Sequence, residues 1–259
     1  MPLSDTQALR YARQTLLEEV GEEGQERLLA SRVLVVGAGG LGVPLAGYLA
    51  AAGVGTLGIA DGDRVAYTNL PRQIAYAEDD VGQPKTACLA RRLTDNNPAV
   101  QIIEHPRLTV DNAEEIVAGY DLVADGCDNF ATRYLVNAVC VQARKTLVSA
   151  ALSRFTGELA AFAPGGACYQ CLFPATPDRN EAQGCVEGGI LGPMAGLLGC
   201  WQALEVLKQI LNLSGRLENE LLIFDGLNQV TRRIRLRKDP VCPTCGGNRG
   251  EDTVFRATA

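Results

Sequence analysis

The hydrophobic pattern of the chain changes period near residue 31. Residues 7–30, rich in Leu, Glu, Gln and Arg, read as helical, with Gly21 and Gly24 marking a break near the middle. Residues 32–36, Arg-Val-Leu-Val-Val, form the short apolar run expected of a strand buried on both faces of a parallel sheet. Beyond them, 41–52 is predicted as a small-residue helix, 56–60 as a strand, and 84–96 as a helix with a proline in its first turn. A strand at 100–104, a helix at 111–118, a strand at 121–124 and a helix at 129–143 continue the alternation. This is the pattern of an α/β, Rossmann-like doubly wound sheet with its ligand at the carboxyl ends of the strands.

After a strand at 146–150 the rhythm breaks. Segments 157–163, 221–224 and 230–236 read as strands joined by longer connections, so the C-terminal half is expected to add antiparallel strands to the parallel N-terminal half. The most apolar stretch, 189–210, is interrupted by Pro193, Gln202, Glu205 and Lys208, which suits a buried helix with one polar edge and not a membrane span. No internal repeat, low-complexity tract or Pro/Ser-rich linker interrupts the chain, so 1–259 is expected to be a single domain.

Composition adds three constraints. With 47% hydrophobic and 21% charged residues the chain has the means to bury a full core. A net charge of -6 argues against the broad basic surface of a nucleic-acid binder, so any phosphate site must be local. The start, Met1-Pro2-Leu3-Ser4-Asp5, has no basic segment followed by an apolar run, so a cytoplasmic protein is expected. Nine cysteines in that compartment point to metal or thiol chemistry and away from disulfides.

Gly37-Ala38-Gly39-Gly40-Leu41-Gly42 lies between a predicted strand and helix, where bare backbone can turn tightly and present N–H groups to a phosphate. Asp61 ends the next strand, placed to accept hydrogen bonds from a ribose hydroxyl. These features alone fit an NAD-dependent oxidoreductase. Arg72, in Asn69-Leu70-Pro71-Arg72-Gln73, and Lys85, in Gly82-Gln83-Pro84-Lys85, add two cations better suited to a triphosphate. Asp128, in Asp125-Gly126-Cys127-Asp128-Asn129, follows the fourth strand, where a carboxylate can hold Mg²⁺. Each has a plainer reading: a solvated surface charge for Arg72 or Lys85, a helix cap for Asp128 and Asn129.

Two C-x-x-C pairs, Cys168/Cys171 and Cys242/Cys245, offer together a closed four-sulfur set of the kind structural zinc prefers, with redox pairs as the alternative. Cys88, Cys140 and Cys200 lie in apolar helical contexts and read as small buried hydrophobes. Cys127 adjoins the fourth strand and can line a pocket without reacting, and His105, the only histidine, has no matching carboxylate motif.

Taken in order, R-Y-x-R-Q at 10–14, G-x-G-G-L-G at 37–42, D-x-D at Asp61 and Asp63, N-L-x-R-Q at 69–73, G-x-x-K at 82–85, Asp128-Asn129 and the paired C-x-x-C motifs form a set. With it the chain resembles, over about residues 8–247, the MoeB/ThiF family, bacterial activators of molybdopterin-synthase and thiamine sulfur carriers. The resemblance implies ATP-dependent adenylation of the C-terminal carboxylate of a small ubiquitin-like sulfur carrier ending in Gly-Gly. It implies a nucleotide site built from Gly37, Gly39, Gly40, Gly42, Asp61, Asp63, Asn69, Arg72, Gln73, Lys85, Asp128 and Asn129, with Mg²⁺ at Asp128 and structural Zn²⁺ in the cysteine set. By the same resemblance Arg13 reaches into the other subunit of a homodimer, and Cys185 falls at the family's candidate reactive cysteine. A cysteine-desulfurase- or rhodanese-type donor would supply sulfur. Segment 1–30 then becomes N-terminal helices, 31–150 the nucleotide-binding half and 151–250 the partner-binding and zinc half. An inert nucleotide-binding scaffold is the third reading beside the adenylating enzyme and the oxidoreductase.

Overall fold

In β1 (Arg32–Val36), Val33 and Val35 enter one apolar layer and Leu34 and Val36 the other, as the two-residue period of a strand dictates. The computed structural model describes residues 2–175 and 189–247. Within them β2 (Thr56–Ala60), β3 (Gln101–His105), β4 (Leu122–Asp125) and β5 (Thr146–Ser153) join β1 in parallel register. Then β6 (Thr156–Phe162), β7 (Glu220–Asp225) and β8 (Val230–Arg235) continue the same sheet antiparallel. The eight strands lie in the order 3-2-1-4-5-6-7-8, so the predicted α/β architecture, parallel half then antiparallel half, is what forms.

Helices cover both faces, as a sheet apolar on both sides requires. On the Val33/Val35 side pack α3 (Gly42–Ala52), α4 (Lys85–Asn96) and α8 (Gly192–Leu211); on the Leu34/Val36 side pack α5 (Ala113–Ala118) and α6 (Phe130–Ala143). Among the described residues no helix is long and apolar enough to cross a membrane.

The N-terminal region forms two helices, α1 (Asp5–Thr15) and α2 (Gly21–Ala30). Ser4 and Gln7 make a capping box that starts α1 earlier than periodicity indicates. Only Gly21 marks a boundary; Gly24 lies inside α2, buried beside Leu211. A four-residue helix, α7 (Tyr169–Leu172), follows Cys168 and carries Cys171, and is too short for any periodic signal. Cys88 and Cys140 are buried as expected, whereas Cys200 is only half-buried on α8.

Candidate active site

The strand order reverses between β1 and β4, since β1 connects outward to β2 and β4 outward to β5. Loops leaving two such strands diverge and open a crevice. Here they also touch. Gly37 has φ +94°, and a Cβ on it would stand 3.2 Å from the Gly126 carbonyl and the Cys127 nitrogen. A Cβ on Gly42 would overlap the Gly37 carbonyl oxygen, so the loop closes only with glycine at both positions. Leu41, at the N-cap of α3, offers no side-chain oxygen, which leaves the first-turn N–H groups to a ligand or water. The N-termini of α3, α4 and α6 all lie at the carboxyl ends of the strands, and α8 starts beside Gly40, with Ala195 Cβ 3.1 Å from where a Gly40 Cβ would stand. The partial positive charge of helix N-termini favours an anion in the crevice.

Asp61 is tied to this loop: Ala38 N–H donates to its Oδ2 and Asp63 N–H to its Oδ1, both at 2.7 Å. The carboxylate is therefore fixed at the mouth of the glycine turn. Asp63 carries the cations. Lys85 Nζ lies 3.0 Å from its Oδ2 and Arg107 Nη2 2.6 Å from its Oδ1. Burial pushes the Asp63 carboxyl up, but the bonds and charges of Lys85 and Arg107 outweigh it and hold the group below its ordinary value.

The segment after β2 folds over the loop. Asn69 Oδ1 accepts Ala66 N–H at 3.0 Å, while its backbone carbonyl accepts the N–H groups of Arg72 and Gln73, so Asn69 builds the turn that aims both. Arg72 Cγ lies 3.6 Å from the Cβ position of Gly40, and its guanidinium donates to Thr68 O at 2.7 Å. Gln73 is buried, its Nε2 3.8 Å from the Cβ position of Gly39 and its Oε1 enclosed without a partner. Tyr76 fastens the segment, donating its hydroxyl to Ala38 O at 2.8 Å. Burial, reinforced by Asp61, pushes its phenol far up, so it stays a donor.

On the other wall, Asp128 is exposed on the turn after β4, and Asn129 Oδ1 caps α6 by accepting Thr132 N–H at 2.9 Å. The plain capping role thus belongs to Asn129. Beneath the turn, Asp125 is 1% exposed and accepts from Arg133, from Ser149 Oγ at 3.1 Å and from Cys127 N–H at 3.0 Å. Arg133 also donates to the carbonyls of Cys127 and Ala150. Burial, then the Asp125 charge, pushes the Cys127 thiol well up, so it lines the wall as a neutral thiol. Gln202 of α8 donates to Asp125 O at 2.8 Å and Val148 O at 3.1 Å, stitching that helix to the strand ends.

Arg13 is exposed on α1 and is not part of this constellation within its own chain. Its neighbours in sequence dock at the far end of α3: Gln14 donates to Ala52 O at 3.2 Å, and the Tyr11 ring packs against Gly53. Cys185 lies outside the described residues. His105 is paired with Tyr120 at 2.6 Å on β3, its pKa lowered by burial.

The four sulfurs of Cys168, Cys171, Cys242 and Cys245 lie within 4.8 Å of one another, with adjacent pairs at 3.9, 3.7 and 3.3 Å. Tetrahedral zinc–thiolate geometry calls for separations of about 3.8 Å. Donors suited to thiolates already point at them: Asp239 N–H to Cys171 Sγ at 3.4 Å and Asn137 Nδ2 to Cys168 Sγ at 3.6 Å. The donor set fits zinc, and it ties the segment after β8 to the body of the fold.

Comparison with known proteins agrees with this geometry. The ThiF family model matches residues 11–244. The chain belongs to the ThiF family. Over 247 residues it is 50% identical to the adenylyltransferase and sulfurtransferase MOCS3 of Mus musculus, which covers 94% of this chain and 54% of that protein. The chain thus spans about half the length of that relative. It is 46% identical to the sulfur carrier protein adenylyltransferase of Thermus thermophilus, covering 92% of this chain and 90% of the other. In fold it is similar to Escherichia coli MccB solved with N-formylated MccA, with a TM-score of 0.79 at 23% identity, over 92% of this chain and 75% of that one.

No motif of this ThiF-family chain by itself marks Asp125, Arg133, Tyr76, Arg107 or Gln202 as part of the site. Asp125 lies within the 125–129 motif, but its burial follows from the place of β4 between β1 and β5. Arg133 falls four residues before Asn137 on one face of α6, a local signal that both serve the same side. Gln202 appeared only as an interruption of an apolar stretch; a buried amide in such a stretch signals a backbone to be bridged.

Proposed function

We propose that this protein adenylates the C-terminal glycine carboxylate of a small ubiquitin-like sulfur carrier ending in Gly-Gly, using ATP. The carrying observation is the clustering of fixed Asp61, buried Lys85 and Arg72 around the glycine loop and its helix N-termini. The name of the Thermus relative supports the same substrate class, and that of the mouse relative the same adenylyl transfer. Asp61 accepts the ribose hydroxyls, the glycine loop and α3 receive phosphate, and Gln73 and Asn69 shape the turn over it. Segments 1–30, 31–150 and 151–250 act as one unit in this reading, in the cytosol, where ATP and reduced thiols coexist.

The carrier's carboxylate attacks the α-phosphorus of ATP, the bond to the bridging oxygen breaks, and pyrophosphate leaves with the electron pair. Both reactants are anions, so the work is positioning and charge neutralisation. Lys85, Arg72 and Arg13 from a second copy of the chain offset the repulsion. Mg²⁺, held by Asp128, would neutralise charge on the departing phosphates. AMP then leaves as the persulfide sulfur of a desulfurase- or rhodanese-type donor attacks the acyl carbon, a second thiol cleaves the resulting acyl disulfide to the thiocarboxylate and forms a disulfide with the donor, and Cys185 is assigned to that later transfer. Exposed Leu197 and Leu204 of α8 and Tyr48 of α3, on two helices that pack together, offer an apolar face for the second copy.

The test is carrier-dependent exchange of labelled pyrophosphate into ATP. Asp128→Ala and Lys85→Ala should each lower it by about a hundredfold, and Cys185→Ala should leave it intact. Tight binding of a nicotinamide dinucleotide without exchange would select the oxidoreductase reading; ATP binding without exchange, the scaffold.

A further inference from the structure

Two distant parts of the molecule meet on one face of α6. At residue 133, the guanidinium holds the turn that follows β4: it donates to the Cys127 carbonyl, to Ala150 O at 2.9 Å and to Ser149 Oγ at 3.0 Å, and pairs with Asp125. One helical turn later, Asn137 holds the cysteine site. Its Oδ1 accepts Tyr169 N–H at 2.8 Å and its Nδ2 donates to Cys168 Sγ at 3.6 Å. Tyr169 closes the circuit. It lies on α7 between Cys168 and Cys171, and the Arg133 guanidinium sits over its ring at 6.0 Å. The ring is clamped by Phe173, Tyr134 and Phe162 at centroid distances of 5.0, 5.8 and 6.1 Å.

We propose that Arg133 and Tyr169 are positioning residues that couple the four-cysteine site to the Asp125–Asn129 turn, so that zinc occupancy governs how firmly Asp128 is presented. The proposal rests on the functional reading only in the role it gives Asp128; the coupling itself is structural. With the sulfurs drawn onto one ion, α7 is fixed at Cys168 and Cys171, the Tyr169 ring is fixed with it, and the buried guanidinium keeps one orientation. Without the ion, α7 keeps its hydrogen bonds to Asn137, Thr244 and Tyr134 and its apolar packing, but Cys168 and Cys171 are no longer drawn to one centre with Cys242 and Cys245. The cation then loses a fixed partner face, and the Cys127 carbonyl and Asp125 lose a fixed donor. In such densely packed surroundings a shift at one end is transmitted and not absorbed.

The experiment is amide hydrogen exchange of the segment 125–130, with zinc content measured on the same samples of full-length protein. Chelating zinc from the wild type should raise exchange there about tenfold. Tyr169→Leu, which leaves all four cysteines, should do the same with zinc retained, while Tyr169→Phe, which keeps the ring, should match wild type. In pyrophosphate exchange, Tyr169→Leu should lower kcat and leave KM for ATP nearly unchanged, because the ATP-contacting side chains are intact. Should Tyr169→Leu lose its zinc, Arg133→Lys takes its place, since it leaves α7 untouched: there 125–130 should exchange faster, and chelation should add nothing further. Wild-type protection of 125–130 after chelation, or in a zinc-loaded Tyr169→Leu or Arg133→Lys protein, overturns the coupling. Failure of wild-type protein to catalyse exchange with any carrier would remove the functional reading alone, because the amide measurement does not depend on it.

Discussion

Lys85 Nζ stands 3.0 Å from Asp63 Oδ2 in a pair whose cation is 7% exposed and whose carboxylate is 50% exposed. A nearly buried ammonium needs an anion at all times. Asp63 is that anion here, and a bound triphosphate would be a second partner for the same charge.

Asp63→Asn should therefore destabilise the nucleotide-free protein, by about 1 kcal/mol or less given the exposure of the carboxylate. Saturating Mg·ATP should restore it, because phosphate supplies the missing charge. Thermal unfolding with and without nucleotide checks this: the ATP-induced rise in Tm should be larger in the variant than in wild type. Equal rises would show that phosphate does not reach Lys85.

The same pair sets a pH dependence. Asp63 has a folded pKa below its ordinary 3.8, since Lys85 and Arg107 outweigh the effect of burial. The unfolded chain therefore binds the proton more readily, and stability rises with pH through this range. The contribution is complete above the ordinary value and is lost as pH falls through the lowered one. Below about pH 4 the wild-type Tm should fall more steeply than that of Asp63→Asn; parallel curves would remove the pair from the acid response.

The parallel half of the sheet was legible because its strands are continuous apolar runs flanked by glycines and caps, as 32–36 and 56–60 illustrate. The candidate site was legible where chemistry needs a residue at a loop of fixed position: Asp61, Lys85 and Asp128 stand at strand or helix ends, and topology alone brings those ends together. What escaped is held by pairing between remote segments. Arg133 in a helix looks like a solvated charge until β5 brings Ser149 and Ala150 beside it. Arg107 gains its place only because it lies across Gly62 beside Asp63. Asn129, grouped by motif with the nucleotide residues, has its side-chain oxygen engaged as a cap.

Freshly purified reduced protein should carry about one zinc ion per chain, since four thiolates complete a tetrahedral shell. Cys242→Ser with Cys245→Ser should abolish it and lower the Tm, because the segment after β8 is then no longer tied to α7. Metal analysis by mass spectrometry decides the first part; zinc content unchanged in the double variant would place the ion elsewhere.

The position of α1 decides which nucleotide site Arg13 can reach. Gln14 is bonded to Ala52 and Tyr11 packs on Gly53, so Arg13 is carried at the C-terminal end of α3, whose N-terminal end bears the glycine loop. Those eleven residues separate the two ends by about 16 Å. Contact between Arg13 and a nucleotide therefore calls for the Arg13 of a second copy, and mixing distinguishes this from a role within one chain. Arg13→Ala and Asp128→Ala homodimers should each be nearly inactive in pyrophosphate exchange. In a mixed dimer, one site combines an intact Asp128 with an intact Arg13 and the other carries both lesions. Equal amounts of the two chains give half mixed dimers by random pairing, so about a quarter of wild-type activity should return. Were Arg13 to act within its own chain, every site in the mixture would carry one lesion, and no activity would return although mixed dimers form.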